Sequence, residues 1–321
     1  MASVRKHKDR WRAFIDRKGV RKSRIFDTKR EASDWAAREE YKILHADRVA
    51  EAMPVGDLFD RYAREVSPAK RGHRWEVIRL EKLGRDKLAK VRLADLSEED
   101  VAEWRDRRLR EVAPGSVRRE MALISAVFTV ARREWRVLDR NPVADVRKPT
   151  APAPRTRLPT DDDFERLAHV AGEDLSTGIG RAYHAFRFAC ATAMRAGEIV
   201  GLTWANVDLE TRVAHLPKTK NGRARDVPMT SEAVALLEAL PRNDPVFGLS
   251  SRQLDALWRK VRDKAAVEGL NFHDSRAYAT TQLAAKVDVL TLAKITGHRD
   301  IRLLSEVYYR EGAADIARRL D

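Results

Sequence analysis

The chain has 321 residues, with 63 Lys and Arg against 49 Asp and Glu, a formal charge of +14. That length suggests two or three domains at roughly 100–200 residues each, every one able to bury a core, and 43% hydrophobic with 35% charged residues marks a globular chain. No apolar run approaches the roughly 18 residues of a membrane span, residues 1–6 do not read as a secretory signal, and the single cysteine, Cys190, excludes a disulfide framework and a multi-cysteine metal site and fits a reducing cytoplasm.

Residues 1–30 carry 12 basic and 3 acidic side chains, a net of +9, leaving +5 for the other 291 residues. With a pI near 10, the natural partner is a polyanion, either nucleic acid or an acidic membrane surface. Runs at 11–15 and 23–26 read as strands around a turn at Arg17-Lys18-Gly19. The pattern becomes helical through Trp35, Ala36 and Tyr41, with Asp27 or Thr28 as N-cap. Residues 1–48 should therefore form a small three-stranded sheet on one helix, with Trp11, Phe14, Ile25, Phe26 and Trp35 as its core.

Residues 53–145 read as all-helical. Amphipathic stretches fall at 57–64 and 73–88, and Ser97 to Asp100 resembles a capping box before Val101, Trp104 and Leu109. Pro114-Gly115-Ser116 then breaks the chain ahead of a long helix over 117–135, with Met121, Ile124, Val127, Phe128 and Ala131 on its apolar side. Arg118 and Arg119 near its start, and Arg132, Arg133 and Arg136 near its end, are candidate phosphate contacts. Five of the twelve prolines, Pro142, Pro149, Pro152, Pro154 and Pro159, make the next stretch a stiff extended tether. Residues 146–159 are the expected linker, and its Arg147, Lys148, Arg155 and Arg157 would let two lobes close around a rod-like polyanion. Residues 160–321 form a second unit, mostly helical with one hairpin at about 212–228. The expected fold class is thus mainly α with small β elements.

Four segments of the second unit pair chemistry-bearing residues with structural punctuation. Arg195 follows an apolar helix and precedes a short one containing Glu198, where a planar guanidinium can meet a phosphate and a carboxylate can hold its neighbours. Lys218 and Lys220 flank Thr219 ahead of Asn221-Gly222, a pair that favours a tight hairpin turn. His273 and Arg276 are three apart, on one helix face, placing a proton carrier beside a fixed cation. Gly297 should end a helix and expose His298, ahead of adjacent Tyr308 and Tyr309. Taken singly, each segment also has an ordinary surface or core explanation.

Together, in order over about 115 residues, Arg-x-x-Glu, a lysine hairpin, His-x-x-Arg, Gly-His and a late Tyr strongly resemble the tyrosine recombinase (phage integrase) family. The layout is similar to that of the family as well, with an arm-type DNA-binding domain (1–48), a helical core-binding domain (53–145), a linker (146–159) and a catalytic domain (160–321). The resemblance implies a site-specific DNA recombinase that cleaves and rejoins strands through a 3′-phosphotyrosyl intermediate, with no metal, ATP or other cofactor, for a phage or mobile element. It implies Arg195 and Arg276 as phosphate-holding arginines, His273 as proton acceptor or hydrogen-bonding partner, His298 as a donor to the phosphate and Glu198 as a brace. The leaving 5′-oxygen would take its proton from Lys220, with Lys218 in reserve, and the nucleophile would be Tyr308 or Tyr309. The family usually places the second histidine nine residues before the nucleophile, where this chain has Val307, so one extra residue is present and Tyr308 is nearest the usual spacing; Arg310 falls where the family often has histidine.

The resemblance further implies double-stranded DNA as partner, at core and arm-type attachment sites, a homo-tetramer on that DNA, a DNA-bending accessory factor, no membrane, and a cytoplasmic location. Arg5, Lys6, Lys8, Arg12, Arg21, Lys22 and Arg24 would grip the arm sites, and Arg118, Arg119, Arg155 and Arg157 the core site. The segment 313–320 would be a short amphipathic helix docking on a neighbouring protomer or on its own domain. Two rivals are a relaxing type IB topoisomerase of the same chemistry and a catalytically silent DNA-binding regulator of the same fold.

Overall fold

The computed structural model describes residues 3–17, 20–153, 155–217 and 224–309. The chain divides into two compact units, Met1–Pro154 and Arg155–Asp321, and the division falls inside the proline-rich stretch. Among the described residues no helix is long and apolar enough to cross a membrane.

The first unit opens with an antiparallel sheet, β1 (Ser3–His7), β2 (Arg10–Arg17) and β3 (Val20–Phe26), in that order. Helix α1 (Lys29–Ala52) packs across it, and Thr28 caps its start by accepting from the Glu31 N–H at 3.2 Å. Alternation along β2 decides the faces. Ala13 and Ile15 are buried, and Val4, Trp11, Phe26 and Trp35 pack against Ala13, Ala32 and Ala36 under the helix. Phe14 and Ile25, expected in that core, lie outside it at 39% and 38% exposure. The register explains why: Phe14 is opposite Ser23, and Ile25 opposite outward-facing Arg12.

Next come α2 (Val55–Glu65), α3 (His73–Gly84), α4 (Glu98–Leu109) and α5 (Pro114–Arg133), around buried Leu58, Phe59, Trp104, Ile124, Val127 and Phe128. Ser97 and Asp100 form a reciprocal capping box at the start of α4. Pro114-Gly115-Ser116 is the first turn of α5 rather than a break before it. Proline fits there because a first-turn residue has no intrahelical use for its N–H.

The second unit is built around α7 (Gly178–Thr192), buried through Ala182, Ala185, Phe186, Phe188 and Ala189. One side of α7 packs on a three-stranded sheet, β4 (Val207–Asp208), β5 (Val213–Leu216) and β6 (Arg225–Pro228), and on α9 (Ser231–Glu238). The expected hairpin is β5–β6, and β4 adds a third strand; the turn itself, 218–223, lies outside the described residues. The other side of α7 meets α6 (Asp161–Ala171) and α10 (Ser251–Lys264), where Phe186 stacks on Trp258 at 4.1 Å. The short α8 (Ala196–Ile199) follows α7, and the unit continues with α11 (Asp274–Ala284), α12 (Val289–Thr296) and α13 (Ile301–Tyr308).

Candidate active site

Helix α7 ends at Ala193, which takes the left-handed conformation (φ 55°) and turns the chain into Arg195. That turn leaves the Ala193 carbonyl facing α11, where Arg276 Nη1 donates to it. Arg276 Nη2 donates to the Thr296 carbonyl at the end of α12, at 2.5 Å. One guanidinium thus ties the ends of two helices to the first turn of a third. Arg276 is 5% exposed, and among the described residues it makes no ion pair, both of its hydrogen bonds going to neutral carbonyls.

Around it stands a second layer. The Glu198 carboxylate accepts from the Arg195 N–H at 2.9 Å and from Arg195 Nη1 at 3.0 Å. It also accepts both Nη groups of Arg225 at 2.8 Å, in the parallel fork that suits a carboxylate. Arg225 Nε reaches on to the Ile295 carbonyl at 3.1 Å. Gly297 closes α12 with φ 72°, a left-handed turn that favours glycine, and a Cβ there would press on Arg225 Cδ at 3.3 Å. The turn delivers His298, whose Nδ1 is 2.7 Å from Thr296 Oγ1. Three guanidiniums therefore share the neighbourhood of one carboxylate.

The electrostatics follow. Burial, and then Arg195 and Arg225, push the Arg276 guanidinium down to about 10. Burial alone would raise the Glu198 carboxyl, but hydrogen bonds from Arg225 and Arg195 hold it at about 2. Burial, then Arg276, Arg195, Arg225 and His273, take His298 down to about 4, so it is neutral at pH 7. Burial raises the Tyr308 phenol, against Arg276 and the Thr280 hydroxyl, which favour the phenolate. These couplings bring Arg195, Arg276, His273, His298 and Tyr308 into one electrostatic neighbourhood, although they are spread over more than a hundred residues of sequence.

The two tyrosines are in different situations. Tyr308, half-buried, interacts with Arg276, whereas Tyr309 donates its hydroxyl to the Val287 carbonyl at 2.5 Å. His273 is exposed at the head of α11, and His298 is half-buried rather than exposed, because the turn carries it back over Thr296. Lys218, Lys220, Arg310 and the segment 313–320 lie outside the described residues.

The expected DNA contacts divide. Arg5, Arg12 and Arg21 share the outer face of the sheet with Phe14, Arg5 opposite Arg12 and Arg21 opposite Asp16, with which it pairs at 2.8 Å. Lys6, Lys22 and Arg24 fall in register with Trp11, Ile15 and Ala13, on the helix side, and Lys22 pairs with Glu39 at 2.8 Å. Lys8 sits in the β1–β2 turn with φ 53°. Arg118 donates to the Pro149 carbonyl and Arg119 to Ser116 Oγ. Arg157 pairs with Asp163 at 2.6 Å and Arg155 with Asp274 at 2.7 Å. Sequence reasoning missed Arg225. The signal was present: on β6, two residues before buried Val227, it had to point inward.

Residues 159–314 match the model of the phage integrase family. The chain is 41% identical over 330 residues to an integrase/recombinase of Haemophilus influenzae, covering 98% of this chain and 89% of that one. It is 35% identical over 264 residues to the shufflon-specific DNA recombinase of Escherichia coli, covering 78% and 68%. Among solved structures it resembles lambda integrase, as a dimer bound to a COC′ core site (TM-score 0.69, 16% identity, 99% and 95% covered) and as a tetramer bound to a Holliday junction (TM-score 0.66, 16% identity, 97% and 96% covered). The chain belongs to the phage integrase family, the tyrosine recombinases, and is a site-specific recombinase that cleaves and rejoins DNA.

Proposed function

We propose that the cluster around Arg276 holds the scissile phosphate of double-stranded DNA and that Tyr308 attacks it. The observation that carries this reading is a buried guanidinium with no carboxylate of its own among the described residues. Leaving such a charge bare in a protein interior costs several kcal/mol, and an arriving phosphate supplies the missing anion. Arg276 and Arg195 hold the non-bridging oxygens, where charge grows in the transition state. Glu198, fixed by Arg225, orients Arg195.

Tyr308 Oη forms a bond to phosphorus as the bond to the 5′-oxygen breaks, leaving a 3′-phosphotyrosyl link. The phenolic proton passes to His273 or to water, and the 5′-oxygen takes one from Lys220, the family's hairpin lysine. The free 5′-hydroxyl of a partner strand then reverses the step, and the covalent link conserves the energy of the broken bond. His298, neutral at working pH, hydrogen-bonds within the site. Tyr308 interacts with Arg276, whereas Tyr309 gives its hydroxyl to the Val287 carbonyl, and this favours Tyr308 as the nucleophile.

The DNA-bound lambda integrase neighbours support duplex DNA as partner and a tetramer as the working assembly, with integration or excision of a mobile element as the role. The outer face of the N-terminal sheet, with Arg5, Arg12 and Arg21, serves the arm-type sites. Because these lie on the same DNA as the core site, they raise effective concentration there.

The decisive experiment traps the intermediate on a nicked suicide substrate and identifies the modified peptide by mass spectrometry. The wild type should form an adduct on Tyr308, and Tyr308→Phe should bind DNA and form none. An adduct that persists in Tyr308→Phe would transfer the role to Tyr309.

A further inference from the structure

Helix α11 carries Arg276 and has His273 at its head, yet its start lacks the usual device. The N-cap position is His273 itself, and its side chain makes no capping hydrogen bond. Serine, threonine or aspartate would ordinarily stand there. The holding is done one residue later. Asp274, only 6% exposed, accepts from the Asn271 N–H at 2.7 Å. It also accepts a fork from Arg155, Nε to Oδ1 at 3.1 Å and Nη2 to Oδ2 at 2.7 Å. The same Nη2 donates to the Gly269 carbonyl. Arg155 therefore grips both the approach to α11 and its first residue, across 119 positions of sequence.

Arg155 is also the first residue of the second unit, where the chain has neither helix nor strand. Its place in a basic, proline-rich stretch suggests a phosphate contact. Its side chain is half-exposed, but its partner carboxylate is not, and a guanidinium already forked onto a buried carboxylate is poorly placed to grip DNA. We propose that Arg155 is a positioning residue that clamps Asp274, and thereby sets His273 and Arg276 at the head of α11, so that the segment entering the second unit is part of the scaffold of the active site. The inference rests on the assignment of His273 and Arg276 to the reaction.

The test uses the full chain and separates binding from chemistry. Affinity for duplex DNA is measured across a salt series, adduct formation on the suicide substrate in single turnover at saturating protein, and melting temperature as a control. Misplacement of reacting groups by about an ångström lowers rates roughly ten- to a hundredfold. Arg155→Ala should lose adduct rate by that factor while affinity and its salt slope stay at wild-type values. Asp274→Asn should do the same, and the double variant should be no worse than the worse single. Arg155→Lys, which retains the charge but cannot make the fork, should show the same loss.

Wild-type rates in Arg155→Lys together with a reduced salt slope in Arg155→Ala would overturn the clamp and restore a phosphate contact. Additive losses in the double variant, or unchanged rates in all three variants, would overturn it outright. Absence of an adduct in the wild type would instead remove the underlying reading of the site.

Discussion

His298 shows how a single side chain takes its chemistry from its surroundings. An imidazole ordinarily titrates near 6.5; here burial and three nearby guanidiniums bring it to about 4. The fold thus prefers the neutral form. That contribution to stability is fully present above pH 6.5 and is lost as pH falls through about 4. Glu198, held at about 2 against an ordinary 4.5, adds a second loss that begins only below 4.5. Melting temperature followed from pH 7 to pH 4 should decline in the wild type and decline less in His298→Gln. Parallel curves for the two proteins would show that burial and the neighbouring cations together do not depress the ring's titration. The residue pairs that make this site were only partly legible beforehand. Arg195 with Glu198, and His273 with Arg276, are close in sequence, so helical spacing exposed them. Arg225 with Glu198, and Arg155 with Asp274, join positions 27 and 119 apart, and no local pattern records such a meeting.

At the level of elements, legibility followed periodicity. Helices α5 and α7 have long apolar stripes and stood out, and the capping box at Ser97 marked the start of α4. The N-terminal sheet was harder, because two short strands rich in both apolar and basic residues do not reveal which side faces the helix. Register settles it: Ala13 and Ile15 turn inward, leaving Arg12 and Phe14 outside. This makes a graded prediction about salt. Removing one cation that pairs with a DNA phosphate should reduce the slope of log affinity against log salt by about 0.9. Arg12→Ala should show such a reduction on random-sequence duplex DNA, and Lys22→Ala, whose wild-type ammonium is paired with Glu39, should not. Equal slopes for the two variants would reject the outer face as the binding surface.

For the whole molecule, charge and connectivity point the same way. The N-terminal 30 residues hold a net +9, whereas the second unit gathers Arg195, Arg225 and Arg276 around one point and neutralises the arginines at its start, Arg155 and Arg157, with aspartates. One unit thus spreads its positive charge, and the other concentrates guanidiniums around one carboxylate. Composition alone announced the first property. The second emerges only where the α7–α8 turn, β6, α11 and the end of α12 meet.

Arg276 spends its hydrogen bonds on neutral carbonyls, so the proposed phosphate seat predicts that tetrahedral oxyanions bind the resting protein. A solute that pairs with this guanidinium in the native state, and nowhere in the unfolded chain, raises thermal resistance by mass action, about 2–4 °C for each kcal/mol in a chain of roughly 150–250 residues, somewhat less in a longer one. Millimolar vanadate should produce a saturable rise that chloride at equal ionic strength does not, and the rise should shrink in Arg195→Gln; a flat response would mean that the cluster does not bind such ions. The practical corollary of a saturable rise would be that phosphate in the buffer competes with the nucleic acid for this seat, so that assays run in it understate how tightly the enzyme holds its substrate.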